Sequence, residues 1–378
     1  MPGGVLVVGN SGNRRVHLFA EAARGAGFDV RVAPWIEVIA RPEVLVDDAT
    51  DEPRLVRIDA WGEDTEVERA LLRRGAAVGA SPRIVDPSAI DEATAEHGRI
   101  VSPRQAHDGV LAVLDAVATV LETRASWRVM QPIAAIRTAF DKAKTHALAA
   151  SLGLPVPRAL PRVGSPEELV DRMAASAMTR AYVKVGCTSS ASCLALVERA
   201  PQGVSVVTSV EVDGPRFYNS LVVRRYARPH LVDQVLGLLL GEGAHVEEAI
   251  DKLPMNGRHA DVRIVAVPGA APFAVVRTSR VPITNLHLGG VRGDVDAYRR
   301  RLPAGAWDAA LDHAETLARA LGAWHLGVDV AFDRASGLPF VLEANAFGDL
   351  LPGVERGGES IYACELRVAQ AGLDAVVT

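Results

Sequence analysis

The sequence predicts an α/β protein, doubly wound and parallel in its N-terminal part and α+β in its C-terminal half. Three observations carry this. An apolar strand, a glycine loop and an amphipathic helix open the chain in β-α-β order. A β-rich run begins at Val246. A hairpin signal lies between Gly327 and Asn345, two apolar runs separated by Asp333-Arg-Ala-Ser-Gly337.

The elements follow in order. Gly4 to Val8 reads as a strand entering Gly9-Asn10-Ser11-Gly12-Asn13-Arg14-Arg15. The helix after it sets Val16, Phe19, Ala20 and Ala23 on one face, Gly25 and Gly27 end it, and Val30 to Ala33 is the second strand. The glycine loop lacks G-x-G-x-x-G spacing, so a strand-to-helix turn is expected there and a nicotinamide site is not. Leu55 to Ile58 is another strand, Asp64 to Arg74 a polar helix, and Ala76 to Val78 and Arg83 to Val85 are strand candidates. Gln105 to Arg124 is an amphipathic helix with Val110, Leu111, Leu114, Val117, Ala118 and Leu121 inward. The stretch from Asp91 to Gln131 is expected to be an insertion capping a cleft.

Composition shifts near Trp127 to Pro132. Phe140-Asp141-Lys142-Ala143-Lys144 then opens a helix that Gly153 closes. Tyr182 to Val185 is a strand running into Gly186 to Ser192, a loop of small and hydroxyl residues. Leu194 to Val197 and Val204 to Val207 add β character, and Leu231 to Leu240 is a helix. Val246 to Ile250, Asp261 to Val267 and Phe273 to Arg277 are strands, and Leu311 to Leu321 is a helix before the hairpin. Gly357-Gly358-Glu359-Ser360 opens a final helix.

At 378 residues the chain exceeds one ordinary core, and division into 1–132, 133–208 and 209–378 is expected. Hydrophobic content of 49% and charge of 23% are those of a soluble globular protein. A net charge of −5 without a basic block gives no case for a nucleic-acid partner. Cys187, Cys193 and Cys364 are odd in number and fit neither a disulfide framework nor a zinc cluster, so a reducing, cytoplasmic setting is the default. No apolar run reaches the length of a membrane span, and no membrane partner is expected. A homodimer is expected on base rate alone.

The chemistry concentrates in the hairpin. Glu343 and Asn345 are two apart and share a strand face. A three-residue loop with Gly337 left-handed would set Asp329 opposite Glu343. Three oxygen donors would then converge among apolar neighbours (Leu326, Val328, Val330, Phe340, Val341, Leu342), which suits Mg²⁺ held together with phosphates. Lys184, at a strand end before a small-residue loop, is a candidate phosphate contact, as is Lys142. Arg263, mid-strand among apolar residues, needs anionic partners, and Arg277 sits similarly. Asn285, before Leu-His287-Leu-Gly-Gly290, is either a metal or phosphate ligand or a turn residue. Asn13, Arg14 and Arg15 are candidates to hold a substrate carboxylate.

In this order the segments resemble the ATP-grasp superfamily, and within it the branch that includes the ribosomal-protein glutamate ligases. Four blocks over residues 135–355 carry the resemblance. They are Asp141-Lys142 before a helix ending Gly-Leu-Pro-Val-Pro, and Val183-Lys184-Val with its loop. Glu247-Glu248-Ala-Ile250 followed by Asp261-Val-Arg263 is the third. Arg277…Asn285-Leu-His-Leu-Gly-Gly290, with Gly-Val-Asp329-Val and Leu-Glu343-Ala-Asn345, is the fourth. The resemblance implies a Rossmann-like pre-ATP-grasp domain followed by the two-lobed ATP-grasp fold, 133–208 being its lid. It implies ATP held by Lys142, Lys184, Glu247, Glu248 and Ile250, and two Mg²⁺ ions on Asp329, Glu343 and Asn345. Arg263 and Arg277 would be catalytic, facing the transferring group, with Asn285 nearby. The activity implied is a carboxylate–amine ligase acting through an acylphosphate on small-molecule or peptide substrates, with His287 or His325 available to move a proton. A kinase on the same fold and a silent nucleotide-binding protein are the competing readings. Two departures stand out. The loop after Lys184 is poorer in glycine than in relatives, and Ala346-Phe-Gly-Asp349-Leu-Leu-Pro-Gly353 replaces the usual Ser-Pro-Gly, which bears on the acceptor rather than on ATP use.

Overall fold

The computed structural model describes residues 3–47, 52, 54–188, 192–347 and 353–377, with side chains through residue 371. The glycine-poor loop after Lys184 therefore falls partly outside the described residues at 189–191, and the segment after Asn345 does so at 348–352.

The first 129 residues build a parallel sheet in the order β2-β1-β3-β4. Its strands are β1 (Gly4–Val8), β2 (Asp29–Ala33), β3 (Arg54–Ile58) and β4 (Arg128–Val129). Between them run α1 (Arg14–Gly25), α2 (Trp35–Ala40), α3 (Thr65–Val78), α4 (Ile90–Ala93) and α5 (Pro103–Glu122). Helix α1 buries Val16, Phe19, Ala20 and Ala23, as its periodicity predicts. Asp64 caps α3 by accepting from Glu66 and Val67 N–H, and Gly79 closes it at φ 69°. Ala76 to Val78 therefore continue this helix instead of forming a strand, and Arg83 to Val85 form none either. Helices α3 and α5 cross in backbone contact. A Cβ on Gly75 would lie 1.8 Å from the Gln105 carbonyl oxygen, and one on Gly109 2.1 Å from that of Leu71. The stretch 91–131 is thus no appended cap. Its main helix packs along α3 and its last residues add β4 to the sheet, while Glu96 to Ile100 bond to Arg216 to Asn219 of another sheet.

Helices α6 (Ile133–Ala139) and α7 (Lys142–Ser151) lead into the second sheet, which has the order β8-β7-β6-β5-β9 and is antiparallel throughout. It comprises β5 (Arg180–Val185), β6 (Leu194–Ala200), β7 (Gly203–Asp213), β8 (Arg216–Tyr226) and β9 (Ala244–Glu248), backed by α8 (Pro166–Ala175) and α9 (Pro229–Gly241). The division anticipated at 208 falls inside β7, and the hydrogen-bonded unit continues to Glu248.

The third sheet, β12-β11-β10-β13-β14, holds β10 (His259–Ala266), β11 (Phe273–Ser279), β12 (Val291–Gly293), β13 (Leu326–Phe332) and β14 (Pro339–Asn345). Helices α10 (Val295–Arg299) and α11 (Ala306–Ala320) precede the hairpin. A two-stranded ribbon, β15 (Glu355–Arg356) and β16 (Glu359–Ser360), leads to α12 (Ile361–Val377). The first and third sheets share two apolar clusters, one joining Leu6 and Val56 to Val262 and Val328, the other joining Val5 and Phe19 to Val265 and Tyr362. The second sheet has its own cluster around Val183, Val197 and Leu239. The chain is thus a fused base of two sheets with a separately cored third unit over it.

Candidate active site

A cavity of about 840 Å³ lies between the second and third sheets and reaches the first. Every candidate site residue from Asn13 to Asn345 lines it, namely Asn13, Arg14, Arg15, Lys142, Lys184, Glu247, Glu248, Ile250, Arg263, Arg277, Asn285, Asp329, Glu343 and Asn345.

The hairpin delivers Asp329 opposite Glu343, as expected, but by another route. The turn has four residues, Arg334–Gly337, since Asp333 N–H donates to the Leu338 carbonyl at 3.0 Å. Gly337 adopts φ 70°. An even turn would misalign the pair. The register shifts by one between Asp329 and Val330, with Val330 opposite Val341 and Asp329 opposite Glu343, so Leu342 is an extra residue on β14.

Antiparallel pairing sets Asp329 beside Arg263 and Asp261 beside Arg277. Arg263 Nε donates to Asp329 Oδ1 at 2.5 Å, and Arg277 reaches Asp329 Oδ2 at 3.1 Å and Asp261 Oδ1 at 2.8 Å. The anionic partners that Arg263 requires are therefore protein carboxylates. Burial would raise the Asp329 carboxyl, but Arg263 and Arg277 hold it well below the usual carboxylate range.

Period-two alternation puts Tyr182 and Lys184 on one face of β5, and Glu247 on neighbouring β9 meets Lys184 Nζ at 2.5 Å. Burial would raise the Glu247 carboxyl; Lys184, with His245, brings it down to about 2. Glu248 pairs instead with Arg158, at 2.9 and 3.0 Å. Lys142 stands at the first position of α7, behind the Asp141 cap. Its Nζ donates to the Thr188 carbonyl at 2.6 Å and lies 3.7 Å from Glu343 Oε1, so it links the small-residue loop to the hairpin.

Asn285 caps a short turn, its Oδ1 accepting from His287 N–H at 2.7 Å, and it lines the cleft. Asn13 caps α1 and donates to Glu63 at 3.2 Å. His287 is exposed in the cleft, whereas His325 is fully buried against Gln131 and Glu365 and does not line the cleft, which removes it as a proton carrier there. Sequence reasoning missed Lys252, Asp261 and Thr284. Lys252 Nζ contacts Asp261 at 3.3 Å and Thr284 at 2.9 Å, with Thr284 also donating to Asp261. Burial lowers the Lys252 pKa more than Asp261 raises it.

Among the described residues no three His, Cys, Asp or Glu side chains gather as a metal cluster. The available donor set is two carboxylates and an amide. It suits Mg²⁺, since carboxylate and amide oxygens are hard donors; Asn345 Nδ2, buried and unpartnered, is an N–H end and would face away from the ion.

No protein-family model and no curated protein sequence matches the chain. Solved structures do, over nearly its whole length. The ATP-grasp ligase PsnB, complexed with a phosphomimetic variant of minimal precursor, Mg and ADP, is 16% identical over 99% of this chain and 98% of that one, with a TM-score of 0.52. Macrocyclase MdnC from Microcystis aeruginosa MRC, bound with precursor peptide MdnA, is 15% identical over 97% and 99%, with a TM-score of 0.55. The ADP complex of PurK, N5-carboxyaminoimidazole ribonucleotide synthetase, is 13% identical over 97% and 77%, with a TM-score of 0.53. At such identity the likeness speaks to architecture, and the architecture of this chain is the ATP-grasp fold.

Proposed function

We propose that this protein is an ATP-dependent carboxylate–amine ligase. The observation that carries the reading is the meeting, in one cleft, of Lys142 and Lys184 with the Asp329–Glu343–Asn345 hairpin end and the Arg263–Arg277 pair. Phosphoryl transfer to a carboxylate needs positioning and charge neutralisation more than a side-chain nucleophile. Lys142 and Lys184 hold ATP phosphates, and Lys184 is poised to exchange its Glu247 contact for them. Glu247, Glu248 and Ile250 shape the adenine end. Arg263 and Arg277, braced by Asp329 and Asp261, keep fixed positive charge beside the group being transferred. Mg²⁺ held by Asp329, Glu343 and Asn345 would neutralise phosphate charge and polarise the transferred group. The amine then attacks the acylphosphate, giving an amide and releasing phosphate.

The ATP-grasp ligase PsnB is described as complexed with precursor peptide PsnA2 and the macrocyclase MdnC as bound with precursor peptide MdnA, so a peptide belongs among the substrates to test. The decisive assay incubates protein, ATP and Mg²⁺ with acids and amines, peptides included. ADP release that requires both an acid and an amine, with amide in the product, is expected. A stable phosphorylated product without amide would replace the ligase with a kinase, and no ADP from any pair would leave a silent nucleotide binder.

A further inference from the structure

One end of the cleft carries groups that neither nucleotide nor metal needs. Trp61, Phe140 and Phe347 form an aromatic wall there, with ring centroids 4.6 Å apart for Trp61 and Phe140, 5.4 Å for Trp61 and Phe347, and 5.3 Å for Phe140 and Phe347. Trp61 and Phe140 are only partly buried. The wall is held from behind. Trp35 packs edge-on against Trp61 at 6.0 Å, and Asn10 Nδ2 donates to the Trp61 and Gly62 carbonyls at 3.0 Å each. A fixed, partly exposed aromatic surface inside a cleft is apolar area left for a ligand to cover.

Arg14 and Arg15 line the same end. Arg15 keeps 24% of its side chain exposed, while its Nε lies 3.5 Å from the fully buried Asp59. Asp59 is tied in turn to Arg57, and Arg57 to Glu365 of α12, all buried. Arg15 is thus a guanidinium braced from the interior and presented to the cleft, a geometry suited to a carboxylate. Glu63, on the Trp61 loop, already accepts from Asn13 and penalises an acidic side chain on the ligand. Phe140 precedes Lys142 by two residues and Phe347 follows Asn345 by two, so the wall adjoins the phosphate end. A ligand anchored by its carboxylate on the arginines and covering the wall extends toward the place where an acylphosphate would form.

We infer that this end of the cleft binds the amine substrate, and that this substrate carries a free carboxylate and a large apolar side chain, as a free apolar α-amino acid does. The inference rests on the ligase reading for its role, so its test reads binding rather than turnover. Protein saturated with AMPPNP and Mg²⁺ is titrated calorimetrically with phenylalanine, leucine, glycine, aspartate, lysine and phenylalaninamide. Phenylalanine and leucine are expected to bind at least about tenfold tighter than glycine, aspartate or lysine, and phenylalaninamide about tenfold more weakly than phenylalanine. Trp61→Ala should weaken phenylalanine about tenfold with AMPPNP affinity retained, which also shows that the variant folds. Arg15→Gln should erase the preference for acid over amide. Equal binding of the polar amino acids, equal binding of the amide, or no binding by any member overturns the inference. Phenylalanine binding without ADP release from any acid paired with it would instead count against the ligase reading.

Discussion

Replacing Glu247 by Gln removes one charge from the Lys184–Glu247 pair while keeping its size. Glu247 is 2% exposed and Lys184 8%, so each is the other's main compensation for lost water. The carboxyl, whose unperturbed value is 4.5, sits at about 2 in the folded protein because Lys184 outweighs the burial that opposes it. At 1.36 kcal/mol per unit this corresponds to about 3 kcal/mol of folding stability. A depressed folded-state value means that the contribution is fully present above about pH 4.5 and lost as pH falls toward 2. Glu247→Gln should therefore unfold about 3 kcal/mol more easily at pH 7, and the gap from the parent protein should close between pH 4.5 and 2. Guanidinium titrations across that range measure it. A gap that stays constant with pH, or none at pH 7, would refute the electrostatic account. Adding Lys184→Met to Glu247→Gln should restore part of the loss, since no buried charge then lacks a partner.

Glu343→Gln should cut ATP turnover at least about 100-fold, because the hairpin loses a hard anionic ligand. Stability should change by no more than about 0.5 kcal/mol, as the 3.7 Å contact with Lys142 is the one ion pair of Glu343 among the described residues. Undiminished ADP release would remove Glu343 from the metal assignment. Gly109→Ala should cost about 1–3 kcal/mol in denaturant titration, since its Cβ meets the Leu71 carbonyl at 2.1 Å. Gly12→Ala, whose Cβ meets nothing within 4 Å, is the control and should be near neutral.

What could be read from sequence was what repeats with a short period. The α1 face, the opening β-α-β unit and the shared face of Glu343 and Asn345 follow from spacings of two or of three to four residues, whereas the facing of Asp329 and Glu343 needs the bulge, which no spacing shows. Strand β8 escaped notice because Arg216-Phe-Tyr-Asn-Ser-Leu-Val-Val-Arg-Arg-Tyr226 is exposed or half-exposed throughout and shows no alternation. Ala76 to Val78 looked like strand because apolar content is ambiguous over three residues; the Gly79 cap decides for helix. Lys252 in Asp-Lys-Leu-Pro resembles a surface turn. Its partners Asp261 and Thr284 stand 9 and 32 residues away, and only sheet pairing reveals them. The extent of the second sheet was hidden for a similar reason, since β9 rejoins β5 across some sixty residues that contain three strands and a helix.

The extra residue at Leu342 gives the hairpin two one-residue offsets that cancel, an even turn and a bulge. The alignment of the acidic pair consequently rests on turn and bulge together, and losing either alone would slide Asp329 past Glu343. A one-residue change at the tip would also turn over Val330 to Phe332, which are fully buried, Phe332 against Tyr298 and Trp307. Core packing and oxygen-donor register are in this way coupled, so the length of an exposed turn is held by the apolar residues behind it.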